Sequence, residues 1–242
     1  MERELDMSKY KPYKDYRGLC EFRSIKERKM SWPTMEKYVL DGKYLIRPLR
    51  EDEIDEVVEI YRVGFPELYG NTFHGIALWS DTLRKLLETE NGFMKGDWSV
   101  YVAEKLDEKK LVGAMLIRMD KGNMSIHWES GVIHPDYRGT KGLFRAMCIY
   151  NDELSEKSGA EYSSVLAATF HSITQIIFKE LGWKIRGVFP GFLLSWNHED
   201  KYYRRSVVIF DKFFNDGEEL IPKEMDLIPE AEKIFKLSER LV

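Results

Sequence analysis

The sequence predicts an α/β chain (α+β in its segregation), with a mixed, mostly antiparallel sheet flanked by helices. Three observations predict it. Apolar residues alternate with period 2 in several stretches between Ser99 and Ile133, each closed by turn residues. Other segments repeat apolar residues at helical spacing. The two kinds follow one another in the order βααβββαβαββ, and such alternation points to helices packed on a sheet.

Residues 1–42 mix charges and tyrosines without a sustained period, pass Ser31-Trp32-Pro33 and end at Leu40-Asp41-Gly42, so they read as an extension packed on a domain spanning 43–214. Tyr44 to Leu49 is a short strand. Arg50-Glu51-Asp52 then turns into a helix with Ile54, Val57, Val58 and Tyr61 on one face. Phe65 to Asn71 carries Gly and Pro and reads as a loop, and Trp79 to Leu87 as a second helix with Leu83, Leu86 and Leu87 together. Ser99 to Glu104 and Leu111 to Arg118 pair across a charged turn, and a further turn at Asp120 to Asn123 leads into a third antiparallel strand, Met124 to Ile133. A helix from Leu143 to Lys157 ends at Ser158-Gly159-Ala160. Tyr162 to Ala168 is a buried strand and Ser172 to Leu181 a helix closed by Gly182, with Thr169 and Ser172 as its cap candidates. Trp183 to Val188 opens a last hairpin that returns through Ser206 to Phe214. Residues 215–242 form an acidic tail with an amphipathic helix, Pro229 to Leu241, expected to pack on its own domain.

Composition narrows the function classes. The 242 residues are 43% hydrophobic and 32% charged, enough for one large domain or two small ones. Lys+Arg 37 against Asp+Glu 41 gives a net charge of −4, so no bulk positive field exists to hold nucleic acid or an anionic membrane, and neither is expected as a partner. The longest apolar runs, such as Ser206 to Phe214, fall far short of the roughly 20 residues of a membrane helix. The opening Met-Glu-Arg-Glu-Leu-Asp has no apolar signal core, and Cys20 and Cys148 make neither a disulfide framework nor a metal quartet; a reduced, cytoplasmic protein is the expectation. His74, His127, His134, His171 and His198 form no HxH or HExxH pair, so no metal site is expected.

The most informative stretch runs from Val132 to Phe144, a strand entering a glycine-bearing turn, His134-Pro135-Asp136-Tyr137-Arg138-Gly139-Thr140-Lys141-Gly142, that opens a helix. Such a turn presents unpaired N–H groups and the positive end of a helix dipole, which together suit phosphate. An ordinary β-to-α turn has the same features, and these residues alone leave both readings open.

Here the sequence resembles the GCN5-related N-acetyltransferase (GNAT) superfamily, over roughly Tyr44 to Phe214. Ile133-His134-Pro135-Asp136-Tyr137-Arg138-Gly139 matches the first part of that family's acyl-CoA signature, and the strand order matches its plan. The resemblance implies acetyl-CoA or another acyl-CoA as cosubstrate, cradled by the backbone from Arg138 through Gly139, Thr140, Lys141, Gly142 and Leu143 to Phe144. Val132 and Ile133 would receive the pantetheine. Two departures stand out. Thr140-Lys141 precedes Gly142 where the family has one residue, with Leu143 where a second Gly or Ala often sits, so either the loop holds one extra residue or Lys141 replaces a glycine. Phe178 stands where many members place a tyrosine that protonates the departing thiolate, which leaves His171, Tyr202, Tyr203 or water for that role.

Amine acylation also needs a base, since an ammonium has no lone pair. His127 and Glu129 lie two apart on the strand before the signature and so share a face, with Trp128 and Ser130 on the other. Glu129 is preferred because the family often carries a glutamate there; a cross-strand polar pair suits the same two residues. By the resemblance, the acceptor pocket would draw Phe65, Glu67, Tyr69 and His74 from the first loop and Trp196, Tyr203 and Arg204 from the last hairpin, with Pro66, Asn197, His198, Glu199, Asp200 and Tyr202 beside them. Acidic groups together with an arginine suit a small-molecule amine, including a zwitterionic amino acid. The closing segment also resembles, more faintly, β-lysine N-acetyltransferase-type members. The competing expectation is a GNAT-fold docking subunit that engages a second copy or a protein partner through its terminal extensions.

Overall fold

A computed structural model describes residues 27–69, 75–139, 142–196, 199, 201–222 and 225–240. Eight strands, β1 (Tyr38–Leu40), β2 (Tyr44–Pro48), β3 (Trp98–Lys105), β4 (Lys110–Asp120), β5 (Ser125–Ile133), β6 (Tyr162–Ala168), β7 (Lys184–Trp196) and β8 (Tyr202–Phe213), form one sheet in the order β1-β2-β3-β4-β5-β6-β8-β7. Neighbours are antiparallel except β5 and β6. That pair runs parallel because helix α3 (Leu143–Lys157) crosses between them, as a parallel connection requires.

Strand alternation divides the core in two. Val100 and Val102 of β3 and Leu116 of β4 pack with Val57 and Val58 of α1 (Ile54–Gly64) and Leu83 and Leu87 of α2 (Ser80–Leu87). Tyr101, Met115 and Ile117 point the other way, toward Met147 and Tyr150 of α3 and Phe178 of α4 (Ile173–Glu180). Helices thus cover both faces. No helix among the described residues is long and apolar enough to cross a membrane.

Three details depart from the sequence reading. The sheet begins inside the segment read as an extension: β1 pairs with β2, Met30 is buried in the core, and the Trp32 indole N–H donates to the Gly96 carbonyl at 2.8 Å. Three residues are too few for a visible period. The last two strands are 13 and 12 residues long, so Trp196, Tyr203 and Arg204 belong to strands rather than to a loop tip, and β7 keeps pairing by bulging around Arg186 and again between Phe189 and Leu193. Helix α5 (Pro229–Ser238) leaves Ile234 and Leu237 exposed; Glu239 just past its end ties it to β7, pairing with Lys184 at 3.0 Å and with Arg186. Charge at one end, rather than an apolar stripe, holds this helix. Leu241 lies outside the described residues.

The feature that positions the site lies in β5. Trp128 faces Ile117 of β4 and Ser130 faces Leu116, so Glu129 is an extra residue, a β-bulge. The bulge shifts the alternation: Trp128 packs in the α3/α4 core, whereas Val132 packs in the α1/α2 core and the Ser130 hydroxyl donates to Tyr61 Oη of α1 at 3.1 Å. Trp128 and Ser130, read from the sequence as sharing a face, therefore lie on opposite ones. A period-2 reading has no means of seeing one inserted residue.

Helix α1 reaches β5 at Gly64, where an added Cβ would stand 2.3 Å from Val132 Cγ2. A β-branched valine cannot swing aside. Gly64→Ala should therefore lower stability by about 1–3 kcal/mol, the usual range for overpacking. Thermal unfolding would show this as a fall in Tm, and adding Val132→Ala should recover part of it.

Candidate active site

Beyond the bulge, β5 and β6 part. Their register runs only from Ser125 opposite Tyr162 to Trp128 opposite Val165, although β5 continues to Ile133 and β6 to Ala168. A cavity of about 910 Å³ occupies the gap, walled by Glu129 to Ile133 on one strand and Val165 to Ala168 on the other. Its far walls are the end of α1 through Leu68, the start of α3, and α4. The candidate residues Val132, Ile133, Arg138, Gly139, Gly142, Leu143, Phe144, Glu129, His171, Phe65 and Glu67 all line it.

At one end the chain turns into α3. Gly142 adopts φ +90°, a left-handed conformation natural only to glycine, and a Cβ there would meet nothing within 4 Å. The first intrahelical bond is Ala146 N–H to the Gly142 carbonyl at 2.7 Å, so the amides of Leu143, Phe144 and Arg145 precede it and have no intrahelical partner. Arg138 plays another part than its neighbours in the turn. Its amide donates to the Pro135 carbonyl, and its guanidinium donates to the carbonyls of Gly64 (2.8 Å) and Ile133 (3.2 Å), tying α1 to the turn. Tyr137 is likewise anchored, its hydroxyl donating to Glu108. Thr140 and Lys141 lie outside the described residues.

On the α1 side of the bulge, Arg118 Nε donates to Glu129 Oε1 at 2.8 Å, and the Arg118 guanidinium lies over the Trp98 ring. Glu129 thus faces the cavity as a carboxylate fixed by a charged partner. His127 is not among the cavity's lining residues. Its ring is held between Ser125 Oγ, 3.1 Å from Nε2, and Ser164 Oγ, 2.8 Å from Nδ1. The structure does not bring the two base candidates to the same place.

His171 sits on the cavity wall just before α4, its ring edge-on to Phe170. Burial, then the charges of Arg138 and Arg205, push its pKa below the ordinary histidine value, so it is a neutral imidazole near neutral pH. Phe178 is buried in a cluster with Trp128, Trp183 and Phe210 and carries no proton to give. Ser172 takes the N-cap position of α4 without a side-chain bond, and the Thr169 hydroxyl donates instead to the Ser206 carbonyl at 2.9 Å; neither caps the helix as the sequence suggested.

A second cavity, of about 650 Å³, adjoins the first and shares Glu67, Phe170 and Arg205 with it. Trp196, Tyr203 and Arg204 line this one, so the structure does bring the first loop and the last hairpin together. Tyr69 bridges them, its ring 5.1 Å from that of Trp196 and 5.4 Å from that of Trp79. The guanidinium common to both cavities is Arg205, which sequence reading missed in favour of Arg204; Arg204 Nη1 donates to the Gly191 carbonyl. Strand parity held the signal, since Arg205 lies two residues from buried Val207. His74, Asn197, His198 and Asp200 lie outside the described residues.

No protein-family model matches the chain, and no curated protein matches it. Solved structures do. A spermidine/spermine N-acetyltransferase from Vibrio cholerae, in mutant forms, superposes with a TM-score of 0.57 at 12% identity, covering 72% of this chain and 95% of that one. A ribosomal-protein-S5-alanine acetyltransferase from Vibrio fischeri gives a TM-score of 0.56 at 11% identity over 75% and 98%. A GCN5-related N-acetyltransferase from Kribbella flavida gives 0.53 at 16% identity over 72% and 99%. The chain has the GNAT fold.

Within this GNAT fold the cavity joins strand walls to a helix N-terminus, which suits a ligand with an anionic end. The parted strands form two walls of the cavity, three amides without an intrahelical partner and a helix N-terminus close one end, and Arg145 stands beside them. The Leu143–Arg145 amides could hold an anionic group there, with Val132 and Ile133 along the wall that leads to it.

The environment of His127 also sets a pH dependence. Burial first, then the Arg118 charge, lower its pKa, with Glu129 and Asp120 opposing in part. The unfolded chain, with a histidine pKa of about 6.5, therefore binds the proton first as pH falls. Stability should drop as pH falls through that value, until folded His127 protonates as well. In denaturant titrations His127→Gln should flatten the pH dependence of unfolding free energy between about pH 7.5 and 5.5.

Proposed function

We propose that this protein is an N-acyltransferase that moves an acetyl or other short acyl group from a CoA thioester to an amine of a small metabolite, by direct attack within a ternary complex. The observation that carries the reading is the parting of β5 and β6 into a cleft that ends on the first-turn amides of α3, which have no intrahelical partner. The acceptor enters from the second cavity, and Glu129, fixed by Arg118, takes a proton from its ammonium directly or through water. The freed nitrogen attacks the thioester carbonyl, an N–C bond forms as the C–S bond breaks, the sulfur departs as a thiolate stable enough to go unprotonated, and the nitrogen's surplus proton passes to water. Phe178 is then a packing residue. Holding two reactants in register supplies most of the rate enhancement, because the thioester is already activated.

Two measurements test this. Millimolar acetyl-CoA should raise Tm, corresponding to about 2.7 kcal/mol at a hundredfold excess over Kd. Gly142→Glu should abolish that rise by setting a carboxylate against phosphate, while Gly142→Ala, which shares the backbone strain but not the charge, should keep most of it. Thiol release with a panel of amines should then fall by roughly 10²–10⁴ in kcat/KM on Glu129→Gln, with acetyl-CoA affinity nearly unchanged. No shift with acetyl-CoA and no turnover would instead favour a docking subunit.

A further inference from the structure

Glu67, in the 3-10 turn Pro66–Leu68 after α1, and Arg205, on β8, form an ion pair of 2.8 Å that spans from the first loop to the last hairpin. The pair is the shared wall of the two cavities. Its bonding capacity is mostly unused. Arg205 Nη1 makes the guanidinium's hydrogen bond and Glu67 Oε1 the carboxylate's, among the described residues, although a guanidinium has five N–H donors and a carboxylate about four acceptor sites. One face of the guanidinium is stacked on Phe170, 4.1 Å from the ring centroid. Neither side chain holds a buried polar atom without a partner, so the remaining donors and acceptors reach solvent in the cavities they border.

We propose that this ion pair recognises the acceptor, and that the acceptor is a zwitterion of the α-amino-acid class. Its carboxylate takes the unused fork of Arg205, and its ammonium joins the open side of Glu67. The match is one of spacing as well as sign. An α-amino acid carries its two charges on adjacent carbons, so it lies antiparallel along a single ion pair with each charge against its opposite. A simple amine leaves Arg205 unanswered, and a polyamine sets a second positive charge against it, which costs affinity. Because Glu67 also lines the main cavity, the nitrogen held there stands at its mouth. The rings of Trp196 and Tyr203 in the second cavity give the acceptor's side chain a wall. This inference rests on the acyltransferase reading for its chemistry but not for its binding step.

The test uses the full chain, acetyl-CoA, and a panel of the common L-amino acids, their primary amides and the matching amines without a carboxylate, with spermidine as the polyamine. The expected result is a kcat/KM for the preferred amino acid about 10²-fold above that of its amide, collapsing to within about threefold on Arg205→Gln. Glu67→Gln, which keeps the side chain's size, should weaken acid and amide alike, and it keeps the idea testable should Arg205→Gln fail to fold. Equal use of acid and amide, a preference that survives Arg205→Gln, or faster turnover of spermidine would each overturn the proposal. Calorimetric titration of the preferred amino acid without donor separates the two readings. Amino-acid binding that is lost in Arg205→Gln, with no thiol release from any amine, would uphold the recognition and sink the acyltransferase reading; neither binding nor turnover of any amino acid would sink the recognition itself.

Discussion

β5 must stay hydrogen-bonded to β4 on one side while leaving β6 on the other, and it does so by placing Glu129 opposite no residue of β4. The inserted residue bends the strand and raises its local twist. From this follow the cleft, the crossing of the β5 side chains from the α3/α4 core to the α1/α2 core, and the aim of Glu129 itself. A straight β5 would have continued its ladder with β6 and closed the gap. The same bulge that opens the site therefore supplies its carboxylate.

Holding a bent strand requires fixed neighbours, and α1 is fixed at three points. At its start, buried Arg47 pairs with Glu53 at 2.6 Å and with Glu104 at 2.8 Å, joining the helix to β2 and β3. In its last turn Tyr61 Oη donates to the Ser130 carbonyl at 3.2 Å, one residue past the bulge. At its end the Gly64 carbonyl receives Arg138. The buried charges at Arg47 are each paired, which is the condition under which burial of ions is tolerable. Arg138, set within the recognised turn, thus works on the opposite side of the sheet from the helix that the turn opens.

Much of this was legible in the sequence, and the failures have identifiable physical causes. The order of elements, the bounds of α3 and β6, and the turn at Gly142 follow from local periodicity and glycine placement, and the structure has them. Glu129, Phe65 and Glu67, proposed from the family resemblance rather than from any local period, line the cavity. The parity of Ser130 was not legible, because one inserted residue shows only in the pairing with β4; β1 is too short to show a period, and Arg205 was passed over although its parity with Val207 was there to read. His127 illustrates the limit: its parity with Glu129 was right, yet two serines from different strands occupy its nitrogens and keep it away from the cavity.

The far edge of the sheet has its own consequence. β7 is an edge strand with exposed Val188, Phe189, Phe192 and Leu194, the composition of a strand prone to pair with a stranger. Its ladder, however, breaks between Phe189 and Leu193, where Pro190 offers no N–H and Gly191 turns left-handed at φ +65°. A foreign strand could zip along only a few residues before meeting the kink. The irregularity thereby shortens the stretch of this edge on which like strands can stack.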